Sequence, residues 1–282
     1  MAARLVDALR DTLEGWQDDL SAAWLPVLGG VELGFDACDH ALEFEAWEPI
    51  FPARRGRIFP GAPAGAHVLR AFDGIAPDAV RCVLLGQDPY PEPGFATGRA
   101  FEAGNVAAWR ELDKMFSKSV RAFTQQICAA RTGRPELGAS FNAWPGLLRE
   151  IEAGTVGIEA PGAVADRWVG QGVLLLNASL TLSRFQVEVD PHQSRGHLPV
   201  WQPLILAVLR HLATSGRSIV FFGFGDAAAR NLRLAGLDKP AAPQATLLRP
   251  HPAFADALFA LENPFVACNR HLVSVGAEPI AW

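Results

Sequence analysis

Four short apolar runs constrain this chain more than any other feature in it. "RCVLLG" (81–86), "GVLLLN" (172–177), "SIVFFG" (218–223) and "ATLLRP" (245–250) are each nearly continuous in Val, Leu, Ile and Phe. A strand with one wet face alternates apolar and polar residues, whereas a strand covered on both faces does not. Helix-like segments separate the runs, at 105–131, 200–216, 225–237 and 256–276. Strands alternating with helices predict an α/β fold, three-layer α/β/α with a central four-stranded parallel sheet. Residues 1–57 read as an amphipathic helix and irregular sequence, an extension packed on a single domain spanning 1–282.

The runs end on polar residues of a chemically useful kind. The first leads into Gly86-Gln87-Asp88, the second closes on Asn177, and the fourth leads into His251. The third enters a glycine-rich turn, "FFGFGDAA". In open parallel sheets the ligand crevice lies beyond the carboxyl ends of the strands. If the four strands are parallel, Asp88, Asn177 and His251 converge on one cleft, however far apart they are in sequence. The loop after the first run is unusual in another way. It holds Tyr90, the only tyrosine in a chain with 17 Phe and 8 Trp, bracketed by Pro89 and Pro91.

Several function classes are disfavoured. There is no GxSxG elbow, no Walker A loop and no complete GxGxxG, since "GFGDAA" lacks the third glycine. The histidines show no HExxH or other metal spacing. The four cysteines have no CxxC pair, so they read as buried thiols in a reducing, cytoplasmic compartment. The N-terminus carries acids among its apolar residues and does not resemble a secretory signal. No apolar run approaches the roughly 20 residues of a membrane span, so no membrane partner is expected. The net charge of -5 counts mildly against a nucleic-acid binder, but the electrostatic footprint of such a protein is a local patch.

What can an acid, an amide and a histidine do together without a nucleophile, metal or cofactor? An amide can read the edge of a planar heterocycle through one donor and one acceptor. A histidine can donate a hydrogen bond to a leaving group that becomes anionic. A carboxylate can stabilise a developing cation and orient water. These parts suit cleavage of a bond between a sugar and a base. Each residue also has an ordinary reading: Asp88-Pro89 as turn chemistry, Asn177 as a turn cap, His251 as a loop histidine and Phe101 as core packing.

At this point a resemblance becomes specific. "LLGQDPY" resembles the signature of family 1 uracil-DNA glycosylases, and the similarity continues through "GFATGRAF", "GVLLLNASLTLS", "PHQSRG", "RPHP" and the final "GAEPIAW". It covers residues 58–282. The resemblance implies a monomeric enzyme without metal or cofactor that removes uracil from DNA. It implies that Asp88 supports the water and the sugar cation and that His251 bonds the O2 that gains charge. Gln87 would contribute backbone contacts to the base, Phe101 would stack on it, and Asn177 would read its N3 and O4 edge. Tyr90 would stand against C5 and exclude thymine by overlap with the methyl group.

The chain also departs from the family pattern. Pro91 stands where the family has histidine, so a polar contact near the water is missing. "HPAFADALF" replaces the family's Pro-Ser-Pro-Leu-Ser continuation, with Ala253 at the phosphate-binding serine and Ala255 at the intercalating leucine. A wedge is needed to hold a base out of the stack. Phe254, Leu258 and Phe259 are the candidates. Gly225-Asp226 replaces the glycine-serine loop. A longer helical insert follows the first motif, in which Arg110, Lys114, Lys118 and Arg121 would form one basic stripe on a helix and contact phosphate, with Lys118 and Arg121 the chosen DNA contacts. Arg54, Arg55 and Arg57 form a second candidate patch. The departures motivate an alternative: a uracil- or abasic-site DNA-binding protein with weak turnover.

Overall fold

The computed structural model describes residues 3–57, 59–115, 117–186 and 190–282. Strands β1 (Ala3–Arg4) and β2 (Glu43–Phe44) form a small antiparallel pair. The main sheet comprises β3 (Cys82–Gly86), β4 (Val173–Asn177), β5 (Val220–Phe224) and β6 (Ala245–Arg249). Its order is β4-β3-β5-β6 and every pairing is parallel, as the apolar runs predict.

The helices are α1 (Leu5–Leu13), α2 (Leu25–Leu28), α3 (Lys118–Thr132), α4 (Trp144–Glu152) and α5 (Pro161–Val169). They continue with α6 (Leu198–Ala213), α7 (Asp226–Leu234), α8 (Ala255–Phe259) and α9 (Pro264–Ser274). The two-residue period of β5 sorts them into layers. Phe222 and Phe224 point to one face, where Phe224 meets Phe123 of α3 at 5.6 Å and Phe222 meets Phe265 of α9 at 5.9 Å between ring centroids. Gly223 points to the other, where a β-carbon would come within 2.8 Å of Leu232 on α7. Helix α6 packs with α7 and α2. The N-terminal segment joins the same core: Leu5, Val6, Leu9 and Leu13 of α1 are buried in it.

Three expectations need correction. Strand β6 is not covered on both faces. Its residues are half-buried and Leu248 is exposed, whereas β4, at the opposite edge of the sheet, is fully buried. The segment 105–131 is not one helix. A 3-10 turn spans Trp109–Lys114, the chain is extended at Met115, and α3 starts at Lys118. Ser117 turns its hydroxyl back to the Leu112 carbonyl, the kind of local competition that stops a helix. The segment 256–276 also splits. Asn263 caps α9 by accepting from the Phe265 and Val266 amides at 2.9 and 3.3 Å, with Pro264 in the first turn.

All four cysteines are buried thiols, and burial pushes Cys82 and Cys128 up in pKa. Among the described residues no helix is long and apolar enough to cross a membrane, and no cluster of three or more His, Cys, Asp or Glu could hold a metal ion.

Candidate active site

The carboxyl ends of the four strands bring the three distant groups to one edge. Gly86, the last residue of β3, pairs in register with Asn177, the last residue of β4. Past these, the Gly86 and Gln87 carbonyls accept from the Ala178 and Ser179 amides at 3.0 and 2.9 Å, so the two loops leave the sheet together. On the other side of β3, the Gly225 amide donates to Arg249 of β6 at 3.0 Å. This holds the turn after β5 beside the chain that carries His251.

Two glycines make the packing possible. A β-carbon on Gly86 would lie 2.5 Å from Asn177 Oδ1 and 3.5 Å from Phe101 Cε2, so the amide and the ring close in on bare backbone. Gly225 has φ +85°, and a β-carbon there would lie 3.2 Å from His251 Cβ and 3.7 Å from Gln87 Oε1. Gln87, the residue after β3, thus sits between Asn177 on one flank and His251 on the other and leads into Asp88.

Asp88 is electrostatically unusual. Its Oδ1 is buried with no hydrogen-bond partner, while Oδ2 accepts from the Gln193 side-chain amide. Burial pushes its pKa up from 3.8 to about 7, and the Gln87 amide beside it pulls the other way. A buried acid with one uncommitted oxygen is poised to meet a cation or a water.

His251 has the complementary character. Its Nδ1 accepts from the Ala253 amide at 3.2 Å. The neutral ring therefore carries its proton on Nε2, which is free to donate. Burial pushes its pKa below the usual value and keeps it neutral at pH 7. Asn177 is only 2% exposed, and its Oδ1 lies over the bare backbone of Gly86.

Phe101 lies in a loop tied to β4 by the Ala100 amide, which donates to Leu175 at 3.2 Å. It adopts φ 60°, rare for a residue with a bulky side chain. Its ring stacks on Phe123 at 4.3 Å and 1° between planes, with Phe224 edge-on at 5.0 Å. Tyr90 is half-buried, edge-on to Phe95 at 5.6 Å, and packs on Phe51, Ala96 and Leu182. This apolar cluster fixes the ring.

The proposed DNA contacts fare unevenly. Phe254 is 68% exposed and follows His251 in a turn closed by its own amide, 2.8 Å from the His251 carbonyl. Leu258 is corrected as a wedge candidate: α8 turns it into the core, where it is 1% exposed. The basic stripe is also corrected, because its four cations do not share one helix. Arg110 lies on the 3-10 turn and pairs with Glu152 at 2.6 Å. Lys118 and Arg121 do come together at the start of α3, over Phe141 at 5.6 and 4.9 Å. The second patch is engaged internally: Arg54 with Asp19 at 3.0 Å, Arg55 with Asp73 at 2.6 Å, and Arg57 with the Asp11 carbonyl at 2.9 Å.

Gln193 is the site residue that sequence reasoning missed. It lies in "PHQSRG", 105 residues after Asp88. No periodicity or spacing links the two; only the fold does.

A parallel sheet with an acid, an amide and a neutral imidazole at its carboxyl edge is the frame of a base-excising glycosylase. Comparisons with known proteins make this specific. No family model matches the chain. The uracil-DNA glycosylase of Parafrankia sp. (strain EAN1pec) is 34% identical over 220 residues, 78% of this chain and 80% of that protein. The uracil-DNA glycosylase of Porphyromonas gingivalis (strain W83) is 32% identical over 231 residues, 80% of this chain and 85% of that protein. In fold, the chain is similar to the wild-type UNG crystal structure from Nitratifractor salsuginis, with TM-score 0.60 and 23% identity, covering 94% of this chain and 97% of that one. The mimivirus uracil-DNA glycosylase is similar with TM-score 0.59 at 14% identity, covering all of this chain and 94% of that one. The chain belongs to the uracil-DNA glycosylase family.

Proposed function

We propose that this protein hydrolyses the N-glycosidic bond of deoxyuridine flipped out of DNA, releasing uracil and leaving an abasic site. The observation that carries this reading is the shared edge: Asp88 with its uncommitted Oδ1, the sunken Asn177 amide and the Nε2–H of a neutral His251.

A stacked base is out of reach, so it must leave the helix, at a cost of a few kcal/mol. Stacking on Phe101 returns roughly 1–3 kcal/mol. The Asn177 side chain donates to uracil O4 and accepts from N3–H, while cytosine presents the reverse pattern. The glycosidic bond breaks with its electron pair moving onto the base, leaving an oxocarbenium-like sugar. His251 donates from Nε2 to O2 as that oxygen gains charge. Ionised Asp88 faces the sugar cation, orients the water that adds to C1′ and takes up its proton. Tyr90 stands against C5 and excludes the methyl group of thymine. Phe254 fills the vacated stack as an aromatic wedge, and Lys118 and Arg121 meet phosphate.

The test is single-turnover release of uracil from uracil-containing oligonucleotides by Asp88→Asn and His251→Ala. Losing one preorganised donor typically lowers the rate by about 10²–10³, and each variant is expected to fall at least that far while remaining folded. Wild-type rates in both would overturn the assignment. Tight binding by the wild-type protein without release would favour the DNA-binding alternative.

A further inference from the structure

We propose that Gln193 is a positioning residue for Asp88: its side-chain amide, carried on a helical turn anchored by a buried hydrogen-bond chain, holds Oδ2 so that Oδ1 faces the substrate. The inference rests on the role given to Asp88 above and adds to it the element that aims the carboxylate.

Gln193 is nearly fully buried, and its Nε2 donates to Asp88 Oδ2. Its neighbours explain why it stays there. His192–His197 form one turn with the wide i→i+5 hydrogen-bonding pattern, rare in proteins and frequent at functional sites. Both histidines of this turn lie in a chain of bonds whose proton directions are fixed. His192 Nε2 lies 2.8 Å from the Glu43 carbonyl, which can only accept, so this nitrogen carries the proton. His192 Nδ1 must then accept from the Ser183 hydroxyl at 3.0 Å. Ser183 Oγ accepts in turn from His197 Nε2 at 2.9 Å. His197 Nδ1 accepts from the Thr181 hydroxyl at 2.9 Å, and Thr181 accepts from the indole N–H of Trp201 at 2.8 Å. Every donor in the chain has one acceptor, and both rings are neutral. Burial agrees, pushing His197 down to about 3 and His192 below its usual value.

This chain ties the turn to the loop that follows Asn177. Thr181 and Ser183 belong to that loop, and Ser179 donates to the Thr181 carbonyl at 2.8 Å. The same construction that fixes the base-reading loop therefore fixes Gln193. Pro91, in the Asp88 loop, offers no polar side chain that could do this work.

A donor on a carboxylate favours its charged form. Gln193, bonded to Oδ2, adds its donor to that of the Gln87 side chain, which opposes the burial that raises Asp88. The titratable groups on segments around Asp88 are Tyr90 in its own loop, His251 after β6, Asp226 at the start of α7, and Asp190 and His192 beside Gln193. None of them is a cation at neutral pH, and the Gln87 side chain, which also lowers Asp88, stays in place when Gln193 is replaced.

The experiment uses the full chain and single-turnover uracil release from a single-stranded uracil oligonucleotide between pH 5 and 9.5. The wild-type rate should rise with pH through the ionisation of Asp88. Gln193→Leu removes the donor, and the acid limb should move up by about one pH unit, lowering the rate at pH 6 about tenfold while the alkaline plateau stays within about threefold. Gln193→Glu keeps the shape but sets a second carboxyl against Asp88, and should move the limb further. It also serves if the leucine variant fails to fold. An acid limb left at the wild-type position, or a fall by the same factor at every pH, would overturn the positioning role. Asp88→Asn is measured in parallel. If it is inactive and the Gln193 limbs do not move, only the positioning role fails; if it keeps the wild-type rate, the reading of Asp88 fails and this inference with it.

Discussion

Replacing Asp88 by Asn should make the protein more stable above neutral pH while removing its activity. The wild-type carboxyl titrates near 7 in the folded protein instead of its ordinary 3.8. Between these values the folded chain holds a proton that the unfolded chain has released. Stability therefore falls as pH rises through this window and levels off above it. At about 1.4 kcal/mol per pH unit, the full gap corresponds to about 4 kcal/mol. Asparagine keeps the shape, and its oxygen can still accept from Gln193, but it never ionises. Urea unfolding at pH 4.5 and pH 8 measures the difference. At pH 4.5 the two proteins should lie within about 1 kcal/mol of each other, and at pH 8 the variant should be ahead by about 3 kcal/mol more. A gap of equal size at both pH values would refute the reasoning, because it would mean that the charge on Asp88 is not what burial opposes.

Tyr90→Ala should release thymine from thymine-containing oligonucleotides at a rate well above background, while uracil release falls; a variant still blind to thymine would place the C5 wall elsewhere. Phe254→Ala should lower uracil release from duplex DNA by about tenfold or more and from single strands much less, since a vacated stack exists only in a duplex; equal losses on both substrates would remove Phe254 as the wedge.

The sheet was legible because strands covered on both faces must be continuously apolar, and β3, β4 and β5 are. The site was legible for a related reason. Asn177 is the last residue of β4, Asp88 lies two residues past β3, and His251 lies two past β6, so strand ends located the chemistry before any contact was known. The partial burial of β6 was misread because its two leucines were weighted over Thr246 and Arg249, which the three buried strands do not match. The burial of Leu258 was not legible, because one short helix offers too little sequence to set its phase. The basic stripe failed because spacing by fours implies a helix only where a helix exists, and Ser117 interrupts this one. Gln193 lay beyond reach for the plainest reason: side-chain amides are common, and only the folded path brings this one to Asp88.

The backbone at Phe101 bears on how this protein can be improved. Glycine would suit φ 60° better, whereas phenylalanine persists there because Phe123 and Phe224 clamp its ring. A laboratory search for heat-tolerant descendants that scores melting alone would keep the ring, since removing a packed aromatic side chain typically costs about 3–5 kcal/mol against about 1–3 kcal/mol for such backbone strain.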